Sequence, residues 1–263
     1  MNVLLRDSLA FMAFSLTASG VYLLNDLADY QTDRAHPQKK HRPIASGKIS
    51  FRSAKLAAST LLIGGIGLSL PVGNTFQTAL LVYVAATFAY TYWLKRFEYI
   101  DVIVLAGLYT LRLIAGGEAA KVQVSFWLLL FSIFVFLSLA LAKRYAEVRQ
   151  NVTLQLPQNA GRGYADQDLP ILMAGGLASA FSGVLTFALF LNTPESQSRY
   201  PGLPLAWLSL ACFVYFFLTI WSSTSRGLIT HDPLIFALKD KKTLLTLISA
   251  GTLLASAHYL GMR

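Results

Sequence analysis

The chain has 263 residues, 55% of them hydrophobic and only 13% charged, with a net charge of +9 and a mean hydropathy of +0.52. An ordinary soluble domain carries about 25% charged residues, so this composition excludes disorder, a coiled coil and a small disulfide scaffold, argues against a soluble enzyme of this size, and reads as an integral membrane protein. The single cysteine, Cys212, excludes an intrachain disulfide and a cysteine metal cluster.

Eight apolar stretches are long enough to be read as membrane spans: residues 5–24, 54–72, 75–94, 101–115, 126–142, 169–191, 203–222 and 244–260. Lipid offers no partner for backbone N–H and C=O groups, so each is expected to be helical. The fourth is short and interrupted by Arg112. A charged block follows the first stretch at once, with no small-residue cleavage pattern, so that stretch does not read as a cleavable signal peptide. No soluble domain fits between the spans, and the expectation is one all-α polytopic domain over residues 1–263.

Orientation follows from the basic residues. The segments after spans one, three, five and seven hold 17 of the 22 Lys and Arg residues, among them Lys48, Lys95, Arg96, Arg162 and Arg226; Arg6, Arg112, Lys121, Arg199 and Arg263 do not belong to them. The positive-inside rule puts the 17 in the cytoplasm and both termini outside, in a membrane of the bacterial inner type.

The first basic segment opens with Asn25-Asp26-Leu27-Ala28-Asp29-Tyr30-Gln31-Thr32-Asp33. On a helix continuing from span one, Asp26, Asp29 and Asp33 fall at i, i+3 and i+7 and share a face with Asn25. Three crowded carboxylates repel each other and call for a cation. Their hard oxygens suit Mg²⁺, which takes the rest of its shell from water and substrate phosphate. Pro37 and Pro43 then end the helix and fix a loop carrying Lys39, Lys40 and Arg42, bases able to hold phosphate oxygens. Acids for Mg²⁺ beside bases for phosphate describe a diphosphate site. His36 and His41 either bind phosphate or fill the loop.

A second group, Lys143-Arg144-Tyr145-Ala146-Glu147, stands at the end of span five. Lys143 and Arg144 fall at i, i+4 and i, i+3 from Glu147, so the group is either a helix-surface salt bridge or a phosphate site on the same aqueous side as the first motif. Asp101 either joins the polar site or is a snorkelled helix end. Asp232 and Asp240 read as solvated loop residues, and Arg112 as structural.

Asn25 to Asp33 matches N-D-x-x-D-x-x-x-D without departure, and in it the chain resembles the UbiA-type membrane prenyltransferase superfamily. The resemblance implies an all-helical bundle of nine spans in which the acids bind Mg²⁺ at the donor diphosphate, above a lipid-accessible cavity. In that superfamily the motif follows the second span, and here it follows the first, so one N-terminal span is expected to be missing. Four further stretches resemble the decaprenyl-phosphate phosphoribosyltransferase branch: Asp33-Arg34-Ala35-His36-Pro37 with Arg42 to Gly47, Leu111 to Gly117, Lys143 to Glu147, and Asp232 to Asp240. Aromatic prenyltransferases would carry a second Asp-rich motif where Lys143 to Glu147 stands.

The branch implies Mg²⁺-dependent transfer of 5-phosphoribosyl from phosphoribosyl pyrophosphate to a polyprenyl phosphate. Asp26, Asp29 and Asp33 would be the catalytic and metal residues. Asn25, Arg34, His36, Lys39, Lys40, Arg42, Asp101, Lys143, Arg144, Tyr145 and Glu147 would bind substrate, with Tyr145 stacking on the ribose or anchoring the interface. No nucleic-acid partner is expected. Two other readings stand beside this one. A prenyltransferase would use a polyprenyl diphosphate and an aromatic or quinone-precursor acceptor. A non-catalytic lipid-binding or transport protein would place its charges at the bilayer midplane rather than at span ends.

Overall fold

The computed structural model describes residues 2–155, 163–229 and 232–260, so Arg162 and Arg263 of the charge pattern lie outside the described residues. Every regular element among the described residues is helical. The chain divides into two compact units, Met1–Val124 with Ala160–Gly163, and Ser125–Asn159 with Tyr164–Arg263.

In the first unit α1 (Val3–Ala28) starts on an Asn2 cap whose side chain accepts from the Leu4 N–H. It runs on past the apolar stretch. The helix expected to continue through Asp33 is interrupted at Asp29 (φ −89, ψ 2), which ends α1 and starts α2 (Tyr30–Ala35); the Asp29 N–H donates to Asn25 O and the Asp33 N–H to Asp29 O across the junction. His36 then turns extended (φ −85, ψ 132), the conformation that Pro37 after it favours. A short 3₁₀ turn, Lys39–His41, and a loop with Gly47 at φ 78 lead to α3 (Phe51–Ser69), capped by Ser50.

α3 lies close along α1. A Cβ on Gly65 would stand 2.3 Å from Thr17 Oγ1 and 2.8 Å from Ala13 O, and one on Gly20 would stand 2.9 Å from Leu62 Cγ. Small residues at such crossings let backbones approach where lipid tails supply no hydrophobic drive. α4 (Asn74–Tyr92) and α5 (Ile100–Ala120) complete the unit, with Phe76, Leu80 and Tyr83 buried against α1 and α5. α5 outruns the expected limit at residue 115. Gly116 and Gly117 do not break it in an apolar setting, and it ends where Lys121 turns left-handed at φ 56.

The second unit begins with α6 (Phe126–Thr153), 28 residues long, which carries Lys143 to Glu147 on its last three turns. α7 (Leu169–Leu191), α9 (Leu203–Ser225) and α11 (Lys241–Tyr259) are the other long helices, with α8 (Pro194–Arg199) and α10 (Pro233–Lys239) as short connectors. α6 packs on α7, and α9 on both α7 and α11. The tightest approach is Gly176 of α7, where a Cβ would meet Trp221 Cζ2 at 1.8 Å. The Trp221 indole N–H donates to Ser138 Oγ of α6 at 3.0 Å, which satisfies the polar atom of a buried ring.

All eight expected spans correspond to long helices. Five helical stretches are long and apolar enough to cross a membrane: Val3–Ala28, Ile100–Ala120, Phe126–Thr153, Asp166–Leu191 and Leu203–Ser225. α3, α4 and α11 have 19 residues each. Large apolar side chains stand outward along them, Leu56 (70% exposed) and Ile63 (71%) on α3 among them, as a lipid-facing surface requires.

Candidate functional site

The end of α1 and α2 gather the acids of the first unit, and two bases from distant parts of the chain meet them. Arg42 Nη1 donates to Asp26 Oδ1 at 3.1 Å and to Asp33 Oδ2 at 2.7 Å. Lys95, in the 3₁₀ turn Leu94–Arg96 after α4, donates to Asp29 Oδ1 at 2.5 Å and Asn25 Oδ1 at 3.3 Å. The Asn25 amide closes the group: its Nδ2 donates to Asp29 Oδ2 at 3.2 Å, and its Oδ1 also accepts from Thr91 Oγ1 at 3.4 Å. Three carboxylates therefore share two strong cations, which offsets most of their mutual repulsion. Burial pushes the Asp33 carboxyl above its ordinary value, and Arg42 beside it pulls the other way.

His36 is a loop organiser. Its Nδ1 accepts from the backbone N–H of Gln38 and of Lys39, at 3.2 and 3.3 Å, so the ring proton sits on Nε2. This holds the turn that delivers Arg42. Arg34 points away from the acids and donates to Tyr30 Oη at 3.0 Å. Lys39 is half-buried and close enough to favour the ionised Asp33 carboxyl. Lys40 is exposed, and Asp101 is fully buried in the first turn of α5.

The second motif keeps one of its two sequence spacings. Lys143 does not reach along α6 to Glu147; it pairs with Asp232, 2.8 Å away at the cap of α10. Arg144 is the partner of Glu147. Arg144 is 1% exposed, with its guanidinium 5.6 Å from the centre of the Tyr164 ring. Tyr145 is buried edge-on against Trp221, ring centres 6.1 Å apart, so it anchors the unit's interior rather than an interface. Asp232 is likewise no solvated loop residue: its other oxygen caps Leu234 N–H.

Two participants escaped the residue-by-residue reading. Lys95 was visible only as a basic residue after span three, and Asp232 as an acid at the start of a branch-like stretch that read as a solvated loop. Each meets its partner across a long stretch of chain, and no local spacing reports that.

Among the described residues no three His, Cys, Asp or Glu side chains are grouped to hold a metal ion alone. The reason is that the aspartates are drawn onto two separate bases. Asp26 and Asp33 nevertheless converge on one cationic nitrogen. Two such carboxylates fit Mg²⁺, which is often bound by one or two with substrate phosphate and water completing the shell.

Comparison with known proteins agrees with this architecture. A UbiA homologue from Archaeoglobus fulgidus, solved with DMAPP and Mg²⁺ bound, superposes with a TM-score of 0.68 at 15% identity, covering 95% of this chain and 88% of that one. The uncharacterised protein y4nM of Sinorhizobium fredii is 38% identical over 263 residues, 99% of this chain and 50% of that protein. A decaprenyl-phosphate phosphoribosyltransferase of Mycolicibacterium smegmatis is 37% identical over 160 residues, 61% of this chain and 48% of the relative. The chain thus spans about half the length of these two relatives. The UbiA prenyltransferase family matches residues 5–225, which include the whole acid–base cluster; the chain belongs to the UbiA prenyltransferase family.

Proposed function

We propose that this protein transfers the 5-phosphoribosyl group of phosphoribosyl pyrophosphate to a polyprenyl phosphate and releases pyrophosphate. The observation that carries the reading is the cluster of Asp26, Asp29 and Asp33 with Arg42 and Lys95, a set able to hold a diphosphate. The similarity to the mycobacterial phosphoribosyltransferase supports the choice of donor.

In this proposal Asp26 and Asp33, with Asp29, hold Mg²⁺. When bound, Mg²⁺ supplies positive charge to the diphosphate leaving group. Arg42 and Lys95 turn from the carboxylates to the diphosphate oxygens, and Asn25 keeps Asp29 and Lys95 in register. The bond between the ribose C1 and the diphosphate oxygen breaks, and a bond from the lipid phosphate oxygen to C1 forms. The electron pair of the broken bond leaves on pyrophosphate. A phosphate monoester is anionic at neutral pH, so no general base is needed. Lys143, the more accessible base of the second motif, is proposed as a phosphate-binding residue.

The test is a transfer assay in nanodiscs with Mg²⁺, labelled phosphoribosyl pyrophosphate and a polyprenyl phosphate. Label entering the lipid phase, dependent on both Mg²⁺ and the lipid phosphate, is the expected result. Folded protein that transfers none, and instead joins a polyprenyl diphosphate to an aromatic acceptor, would replace this reading with prenyl transfer.

A further inference from the structure

Arg112 lies near the middle of α5, one of the helices apolar enough to cross a membrane. Its Nη2 donates to Tyr22 Oη of α1 at 2.7 Å and to Tyr83 Oη of α4 at 2.9 Å. Its guanidinium also lies 4.8 Å from the centre of the Tyr109 ring. All four residues belong to the first unit. These partners orient the guanidinium but leave its charge in place, because phenol oxygens are neutral. Among the described residues no carboxylate pairs with Arg112. An ionised side chain at membrane depth is costly to keep and points to a ligand.

Three details give that ligand a character. Both hydrogen bonds of Arg112 use Nη2, so the guanidinium has donor capacity to spare. Tyr22 accepts from Arg112 and keeps its own hydroxyl proton to donate. Tyr22 is 52% exposed whereas Tyr83 is 1% exposed, so the cluster opens on the Tyr22 side. A planar fork of N–H donors with a hydroxyl beside it matches the oxygens of a phosphate. Tyr22 stands four residues before Asp26 on α1. The two share a face and are separated by roughly 6 Å along the helix axis. The cationic centre is therefore about one helical turn deeper than the acids.

We propose that Arg112, with Tyr22 and Tyr83, binds the phosphate group of an anionic ligand at membrane depth in the first unit. Two sources offer this chemistry, a lipid phosphate and free inorganic phosphate. Under the function proposed above it is the acceptor's phosphate, and that assignment rests on that reading.

The experiment uses the full chain in nanodiscs without donor. It compares the thermal stabilisation given by a polyprenyl phosphate, by the uncharged polyprenol and by inorganic phosphate. The wild type is expected to respond to the lipid phosphate and not to the polyprenol. Arg112→Gln should weaken that response by roughly tenfold in apparent affinity, and Arg112→Lys should fall between. Tyr22→Phe, which leaves the guanidinium and the buried Tyr83 in place, should weaken it by about threefold and keeps the test decisive if Arg112→Gln fails to fold. An Arg112-dependent response to inorganic phosphate alone would support the site and assign it to free phosphate. Response in Arg112→Gln or Tyr22→Phe equal to wild type, or no response of the wild type to either phosphate, would overturn the proposal. Arg112-dependent binding without phosphoribosyl transfer would overturn the function and leave this site standing. Transfer whose lipid KM ignores Arg112→Gln would do the reverse.

Discussion

Each aspartate of the first unit has its own electrostatic setting, and that decides what a substitution reads out. Asp29 accepts from Lys95 on one oxygen and from the Asn25 amide on the other, so Asp29→Asn keeps the shape but loses one charge and one of those two bonds. Turnover is expected to fall about 100-fold or more in protein that still elutes as a folded species, with some loss of melting temperature from the Lys95 pair; full activity would remove Asp29 from the site. In the second unit the two neighbouring bases separate cleanly. Lys143 is 40% exposed in its pair with Asp232, whereas Arg144 is 1% exposed against Glu147. Lys143→Ala should raise the KM for the sugar-phosphate donor without loss of folded protein. Arg144→Ala removes a fully buried guanidinium and leaves a void where it packed, so the yield of folded protein should drop, with a stability loss of about 3 kcal/mol. Size-exclusion profiles and steady-state kinetics of the two variants side by side would show whether this division holds.

Helix contacts set the next level. The α1–α3 crossing depends on the missing Cβ of Gly65, since Thr17 Oγ1 and Ala13 O occupy its place. Gly65→Val should cost about 1–3 kcal/mol through overpacking, read as a lower melting temperature, whereas Gly64→Val, where a Cβ meets nothing within 4 Å, should be close to neutral. At the start of α11 the Asp240 carboxylate accepts from the Thr243 N–H at 2.9 Å and its hydroxyl at 2.6 Å. Those bonds hold the carboxyl below its ordinary value. The stabilisation is complete at neutral pH and fades as acid carries the solution down through the ordinary carboxylate range to the lowered value. Asp240→Ala should therefore cost about 1 kcal/mol at pH 7, and the gap from wild type should close as the pH falls. The helices themselves were legible in the sequence, because a lipid environment leaves an apolar backbone few alternatives. The acids were legible for a related reason: a period near four survives any packing. Their partners were not. Asp29 meets Lys95, and Lys143 meets Asp232, through the tertiary arrangement alone; of the two spacings open to Glu147, the i, i+3 pair with Arg144 forms, while Lys143 turns to Asp232.

For the molecule as a whole, the uneven distribution of Lys and Arg predicts an orientation that labelling can test. In a Cys212→Ser background, Lys48→Cys should react with a membrane-impermeant maleimide only from the cytoplasmic side of inner-membrane vesicles, and Lys121→Cys only from the other. Both positions are exposed; the reversed pattern would invert the topology and put the aspartates outside the cell. The placement of the aspartates at the end of α1 adds a consequence of another kind. Residues 3–24 span roughly 33 Å at helical rise, close to the hydrocarbon thickness of a bilayer, and Asp26 rides on the same helix, with Asp29 at its C-cap and Asp33 on the short helix that follows. Their height above the acyl chains is thus a property of the bilayer as much as of the protein. A thinner membrane tilts the helix or lets it protrude, so acyl-chain length becomes a determinant of how readily a water-borne sugar phosphate and a membrane-borne one can meet.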